Sequence, residues 1–211
     1  MALQLPKIYP LTDRRLSGLS HCEQVKLLIA GGATLIQLRD KEAAPREFFH
    51  DAREALRLAR SARAKLIIND RVDVALALKA DGVHLGQTDM PVAAARRLLG
   101  AKAIIGYSTH NLKQVQASLR LPIDYLAFGP VFETKSKENP DPTAGLAQLA
   151  EAKNLINSLP LVAIGGITSS TLEQVLADGA DSVAMISALF DPPPEITQNL
   201  RNLYDLAGQR R

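Results

Sequence analysis

The chain has 211 residues and a formal net charge of +3, enough length for one well-buried core and too little charge to recruit a polyanion by electrostatics alone. Aromatic residues make up 4% and Trp is absent, which leaves no stacking platform for nucleic acid, and no apolar run approaches the length that spans a bilayer. The lone Cys22 excludes an intramolecular disulfide, and the amino terminus shows no charged segment followed by a long apolar core. The composition therefore reads as a cytoplasmic protein, one domain over residues 1–211, acting on small molecules without nucleic-acid or membrane partners and compatible with a homo-oligomer.

In chain order, Lys7 to Leu11 reads as a first strand, and a helical pattern containing His21 and Cys22 follows. Cys22 lies inside that pattern rather than at a strand end, the position of an inert helix residue. Leu35-Ile36 starts a second strand that runs into Gln37, Leu38, Arg39, Asp40 and Lys41. Alternation directs Gln37, Arg39 and Lys41 to one side. Phe48, Phe49, Ala52, Leu56 and Ala59 mark a buried helix face, and Arg53, Arg57, Arg60 and Arg63 lie on its solvated side.

The same order then repeats. Leu66 to Ile68 ends in Asn69 and Asp70, Val83 to Leu85 in Gln87 and Asp89, and Ile104-Ile105 in Ser108 and Thr109. Tyr125 to Phe128 runs into Thr134 to Lys137, Val162 to Ile164 into Gly165-Gly166, and Ala184 to Ile186 into Ser187. Leu172, Val175 and Leu176 carry helical spacing, and Pro192 to Pro194 punctuate the chain before a last helix from Glu195 to Leu206. Short, continuous apolar runs suit strands covered on both faces. Roughly eight strand-helix repeats predict an α/β fold, a (β/α)₈ TIM barrel whose ligand sites lie at the strand carboxyl ends. Those are the ends where the polar residues collect.

Asp70 and Asp89 end neighbouring strands and can face one pocket, a pair that suits Mg²⁺ with waters and substrate phosphates as its other ligands. Each alone has a plainer use as a helix cap, Asp70 before a helix beginning at Arg71 and Asp89 before one after Pro91. Their joint placement favours the metal. Arg39, Lys41 and Lys137 supply positive charge for a phosphate. A second anion site is expected from Gly165-Gly166 and Ile186-Ser187, in the loops after strands seven and eight. The hydroxyl- and cation-rich segment Gly129 to Lys137, with Asn139, Pro140, Pro142 and Gly145 beyond it, has the composition of a lid or of a solvated connection. His84 reads as a satisfied core imidazole, and His110 as a helix-opening residue, capping or exposed.

Taken together, Gln37-Leu-Arg-Asp-Lys41, Asn69-Asp70, Gly82-Val-His-Leu-Gly-Gln-Thr-Asp89, Gly106-Tyr-Ser-Thr-His110, Gly129-Pro-Val-Phe-Glu-Thr-Lys-Ser-Lys137 and Ala163-Ile-Gly-Gly-Ile167 resemble thiamine-phosphate synthase. The resemblance spans the chain from Tyr9-Pro-Leu-Thr-Asp13 to Ile186-Ser187. It implies condensation of 4-amino-2-methyl-5-hydroxymethylpyrimidine diphosphate with 4-methyl-5-(2-phosphoethyl)thiazole, giving thiamine phosphate and pyrophosphate with one Mg²⁺ per subunit. Pyrophosphate departs first, and the thiazole nitrogen captures the resulting carbocation. The resemblance assigns Gln37, Leu38, Arg39, Asp40, Lys41, Asn69, Ser108 and Lys137 to the pyrimidine diphosphate, with Arg39, Lys41, Ser108 and Lys137 catalytic. It assigns Asp70 and Asp89 to Mg²⁺, and Thr134, Lys135, Ser136, Gly166, Ile186 and Ser187 to the thiazole phosphate.

Two positions depart from the family pattern. Asp40 stands where Glu is common, and Thr134-Lys135-Ser136-Lys137 replaces the usual Thr-x-Thr-Lys. Two alternatives share the resemblance: a thiazole tautomerase-like enzyme, against which the diphosphate and metal residues argue, and a non-catalytic thiamine-pathway binding or regulatory protein.

Overall fold

The computed structural model describes residues 3–134, 141–190 and 195–208, and within them the apolar runs pair into a single eight-stranded parallel sheet. The strands are β1 (Ile8–Pro10), β2 (Leu35–Leu38), β3 (Lys65–Asn69), β4 (Gly82–Leu85), β5 (Ile104–Thr109), β6 (Tyr125–Phe128), β7 (Leu161–Ile164) and β8 (Ser182–Met185). Their order is β1-β8-β7-β6-β5-β4-β3-β2. The two end strands meet through a parallel bridge between Leu11 and Gln37, and the Thr12 N–H donates to the Gln37 carbonyl at 2.9 Å. This seam completes the TIM barrel. β1 is shorter than the expected Lys7 to Leu11 run, although both flanks stay tied to β8, with the Val183 N–H donating to the Lys7 carbonyl and the Leu11 N–H to the Met185 carbonyl.

The expected single helix after β1 is two helices, α1 (Arg14–Ser17) and α2 (His21–Ala30). Asp13 caps α1, Gly18 closes it at φ 70°, and Ser20 with Glu23 forms the capping box of α2. The others are α3 (Pro45–Ser61), α4 (Val72–Leu78), α5 (Val92–Leu99), α6 (Leu112–Ser118), α7 (Gly145–Leu155), α8 (Leu172–Ala177) and α9 (Ile196–Leu206), with a 3₁₀ turn at Ser187–Leu189. The proline run 192–194 lies outside the described residues. Among those residues no helix is long and apolar enough to cross a membrane.

Alternation along the strands builds two apolar layers. Tyr9, Leu35, Ile67, Ile104, Tyr125 and Val162 pack inside the barrel. Ile36, Leu38, Leu66, Ile68, Val83 and Leu85 face outward onto helix residues such as Phe48, Ala52, Leu56 and Ala59. Arg53, Arg57, Arg60 and Arg63 stay exposed, as their positions predicted. Each large aliphatic side chain sealed in either layer contributes about 1.5–3 kcal/mol, which keeps the lower strand positions apolar. Among the described residues Ser182 is buried at the start of β8, whereas the polar inward side chains Gln37, Asn69, His84 and Ser108 gather where the barrel opens. There the parallel register aligns Asn69 with His84, His84 with Gly106, and Gly106 with Tyr125.

Candidate active site

The open carboxyl end of the barrel holds a cavity of about 420 Å³. Gln37, Arg39, Lys41, Asn69, Asp70, Asp89, Ser108, Thr134, Gly166, Ile186 and Ser187 all line it. Two residues expected there do not. Leu38 is fully buried on the outward face of β2, because alternation gives that face to the helix layer. Asp40 turns away, and its carboxylate accepts the Glu42 and Ala43 N–H groups at 2.9 and 2.8 Å and lies 3.1 Å from His21 Nε2. Its role is to brace the turn behind Arg39. Lys135, Ser136 and Lys137, and with them residues 135–140 of the expected lid, lie outside the described residues.

The helix-cap alternative for the two acidic residues fails on geometry. The cap residue of α4 is Arg71 and that of α5 is Pro91, and neither helix has a side-chain cap bond. Asp70 instead adopts φ 60°, a left-handed conformation uncommon for a residue with a side chain, while its N–H donates to the His84 carbonyl at 2.8 Å. Asp89 accepts the Gly86 N–H at 2.6 Å. Burial, and then the neighbouring Asp70 carboxylate, push the Asp89 carboxyl above its ordinary range. Two crowded carboxylates of this kind gain from a cation between them.

Positive charge surrounds the pair. The Lys41 ammonium is ion-paired with the Asp70 carboxylate. Arg39 is held from behind, with its guanidinium 3.3 Å from Asp13 and its N–H 3.3 Å from Thr12 Oγ1. Among the described residues no cluster of three or more His, Cys, Asp or Glu side chains forms a metal cage. Two carboxylates beside cations fit a hard divalent ion that draws its remaining ligands from water and phosphate. Among the described residues of the site, Asn69 Nδ2 is buried on the cavity wall without a hydrogen bond. Leaving such a donor unpaired costs about 1–3 kcal/mol, and a ligand acceptor recovers that cost.

On the opposite wall, Gly165 and Gly166 turn at φ 99° and 66°. A Cβ at Gly165 would fall 2.5 Å from Pro130 Cα, and one at Gly166 would fall 2.3 Å from the Glu133 carbonyl oxygen. The chain from Pro130 to Glu133 lies directly on this turn, with Val131 N–H donating to Ile164 and Phe132 N–H to Gly165. The space a side chain would fill thus belongs to the backbone that leads to Thr134. The glycines fix the wall first and border the cavity second.

His84 is a satisfied buried imidazole, as expected, with Nδ1 2.9 Å from the Tyr125 hydroxyl and Nε2 2.8 Å from Ser108 Oγ. It also lines the cavity, which the apolar character of its strand concealed. His110 neither caps nor points to solvent. Asn111 takes the cap of α6, and His110 Nδ1 lies 2.7 Å from the Gly129 carbonyl, tying the ends of β5 and β6 together. For Cys22, burial and nearby Asp51 push the thiol up and away from reactivity.

The model of the family described as thiamine monophosphate synthase matches residues 8–189. The chain belongs to that family. Among its relatives are the thiamine-phosphate synthases of Chloroflexus aurantiacus, 46% identical over 207 residues covering 97% of this chain and 95% of the relative, and of Koribacter versatilis, 43% identical with 96% and 98% covered. Among solved structures, the thiamine phosphate pyrophosphorylase of Pyrococcus furiosus superposes with a TM-score of 0.85 at 35% identity, covering 96% of each chain. Thiamine-phosphate synthases are transferases, and this chain is an enzyme of that class. Tyr9 and Tyr125, which line the cavity, and Gly106, which makes room beside Tyr125, were given no role by the sequence pattern. The tyrosines alternate inward with apolar neighbours and look like plain core. Gly106 has no side chain to attract notice.

Proposed function

We propose that the chain condenses 4-amino-2-methyl-5-hydroxymethylpyrimidine diphosphate with 4-methyl-5-(2-phosphoethyl)thiazole to give thiamine phosphate and pyrophosphate. The observation that carries this reading is the placement of two carboxylates and two cations, Asp70, Asp89, Arg39 and Lys41, around one cavity. Acid pairs and basic pairs together suit a metal-bridged diphosphate, whereas a lone phosphate needs only the bases.

In this reading Gln37, Asn69 and Ser108 bind the pyrimidine diphosphate, and Asn69 Nδ2 gains its missing acceptor. Arg39 and Lys41 contact the diphosphate, with Lys137 joining them. When the bond from the pyrimidine methylene carbon to oxygen breaks, its electron pair leaves with pyrophosphate. Fixed cations stabilise that growing charge more than they stabilise the bound substrate. Asp70 and Asp89 would hold one Mg²⁺ per subunit, which when bound neutralises charge on the leaving group. Thr134, Lys135, Ser136, Gly166, Ile186 and Ser187 place the thiazole phosphate so that the ring nitrogen donates its pair to the exposed carbon and forms the new C–N bond. We place this chemistry in the cytoplasm.

Turnover assayed with both substrates tests the proposal. Thiamine phosphate and pyrophosphate should appear in equal amounts only when both substrates and Mg²⁺ are present. A chain that binds both compounds without forming product refutes it in favour of a binding protein.

A further inference from the structure

Five side chains from five strands form an unbroken line of hydrogen bonds across the barrel. Gln37 Nε2 donates to the Tyr9 hydroxyl at 3.2 Å, the Tyr9 and Tyr125 hydroxyls lie 3.1 Å apart, the Tyr125 hydroxyl lies 2.9 Å from His84 Nδ1, and His84 Nε2 lies 2.8 Å from Ser108 Oγ. The first four are buried, Tyr125 fully and His84 to 7% exposure. Burial raises both phenol pKa values well above the ordinary range, so each hydroxyl keeps its single proton.

With one proton per hydroxyl, direction at one end fixes direction at the other. Gln37 Nε2 spends a proton on Tyr9, and Tyr9 then donates to Tyr125 and Tyr125 to His84 Nδ1. A neutral imidazole accepting at Nδ1 carries its proton on Nε2 and donates it to Ser108. The Ser108 proton is left to point elsewhere, and Ser108 lines the cavity. Reversing Gln37 reverses every bond and turns Ser108 into an acceptor toward ligand.

The barrel is built to admit this line. His84, Gly106 and Tyr125 are register partners on adjacent strands. A Cβ at Gly106 would fall 2.0 Å from Tyr125 Cζ and 2.5 Å from His84 Nδ1. Only the absent side chain on β5 lets Tyr125 stack on His84, with ring centroids 5.5 Å apart and planes inclined at 24°.

We infer that Tyr9, Tyr125 and His84 are positioning residues that form a directional hydrogen-bond relay, coupling the orientation of the Gln37 amide to the donor role of the Ser108 hydroxyl. A ligand group that donates to the Gln37 carbonyl oxygen thereby selects a Ser108 that donates to a ligand oxygen. The functional use of the relay rests on Gln37 and Ser108 contacting substrate, as proposed above. The relay itself is testable without substrate.

The test is ¹⁵N NMR of the histidine rings in the free protein, with the His84 signals identified by their loss in His84→Asn. The parent should carry the His84 proton on Nε2. In Gln37→Glu at alkaline pH, the carboxylate can only accept, so the His84 proton should move to Nδ1. In the double variant Gln37→Glu with Tyr125→Phe, the relay is cut and the glutamate should no longer control the ring. A Gln37→Glu protein that keeps the parent backbone amide spectrum and an unmoved His84 proton overturns the inference, as does a parent His84 protonated on both nitrogens. Should Gln37→Glu fail to fold, Tyr125→Phe decides alone. It removes the donor to Nδ1 and should give a mixture of ring tautomers, whereas an unchanged His84 spectrum refutes the relay. If the ring responds as stated while the parent shows no turnover, the functional reading falls and the relay stands.

Discussion

The guanidinium of Arg39 lies 3.3 Å from the carboxylate of Asp13, and both side chains are largely buried. The end of β1 thus aims a cation carried by the end of β2, and the pair is tied into the seam where the barrel closes. Replacing Arg39 by Ala should slow product formation by at least about tenfold, since a charge-assisted hydrogen bond contributes roughly 1.5–3 kcal/mol. Asp13→Asn should keep α1 capped, because Asn caps as well as Asp, yet loosen Arg39 and cost about fivefold, near 1 kcal/mol. Steady-state rates for the two single variants and the double variant check this. If Asp13→Asn slows an Arg39→Ala enzyme as much as it slows the parent, Asp13 does not act through Arg39.

Activity should require a divalent cation. Burial, and then repulsion from the Asp70 carboxylate, raise the Asp89 carboxyl above its ordinary range, and Lys41 pairs with Asp70. Changing either aspartate to Asn should reduce turnover by roughly a hundredfold or more while relieving that repulsion, so thermal stability without metal should hold or rise. Rates in chelator and melting curves of both variants check the two halves. Full turnover in excess chelator removes the metal from the mechanism.

The sequence disclosed the barrel because strand and helix periods alternate cleanly, and it disclosed the rim because Gln37, Asn69, Asp70, Asp89 and Ser108 stand where apolar runs stop. What it concealed has physical causes. Leu38 and Asp40 sit inside a motif, but side-chain alternation sends the first outward and backbone N–H groups capture the second. Tyr9 and Tyr125 look apolar in one dimension, and only the register across β4, β5 and β6 shows that Gly106 leaves room for their hydroxyl chain to reach His84. Asp13 offered no spacing cue for Arg39, because the pairing spans the barrel seam between β1 and β2.

Gly166→Ala should be costly for a reason rooted in the wall. The new Cβ would meet the Glu133 carbonyl at 2.3 Å and Phe132 at 2.8 Å, on a backbone at φ 66°. Overpacking and a left-handed conformation together should cost about 2 kcal/mol or more in stability. The displaced segment leads to Thr134, so thiazole-phosphate affinity should fall while pyrimidine-diphosphate affinity holds. Calorimetry with each substrate on the folded variant measures both. Unchanged thiazole-phosphate affinity would show that this wall does not shape its site.

His21 gives the fold a pH-dependent weakness that is independent of substrate. Its side chain is fully buried, with Nδ1 2.7 Å from Thr12 Oγ1 and Nε2 3.1 Å from Asp40. Burial holds its pKa below the ordinary value, outweighing the opposing pull of Asp40. The unfolded chain, with an ordinary value of about 6.5, then binds a proton more readily than the folded one. Stability should therefore be full above about pH 7 and should decline as pH falls through about 6.5, by at most roughly 1.4 kcal/mol per pH unit for this one group. Asp40 adds a loss in the same direction, but in a lower window, because its folded value is held below the ordinary carboxylate range. Urea unfolding at a series of pH values checks the sign. In His21→Asn the decline between about pH 6.5 and 5 should be shallower by up to one proton, and a slope equal to that of the parent would show that His21 titrates alike in both states.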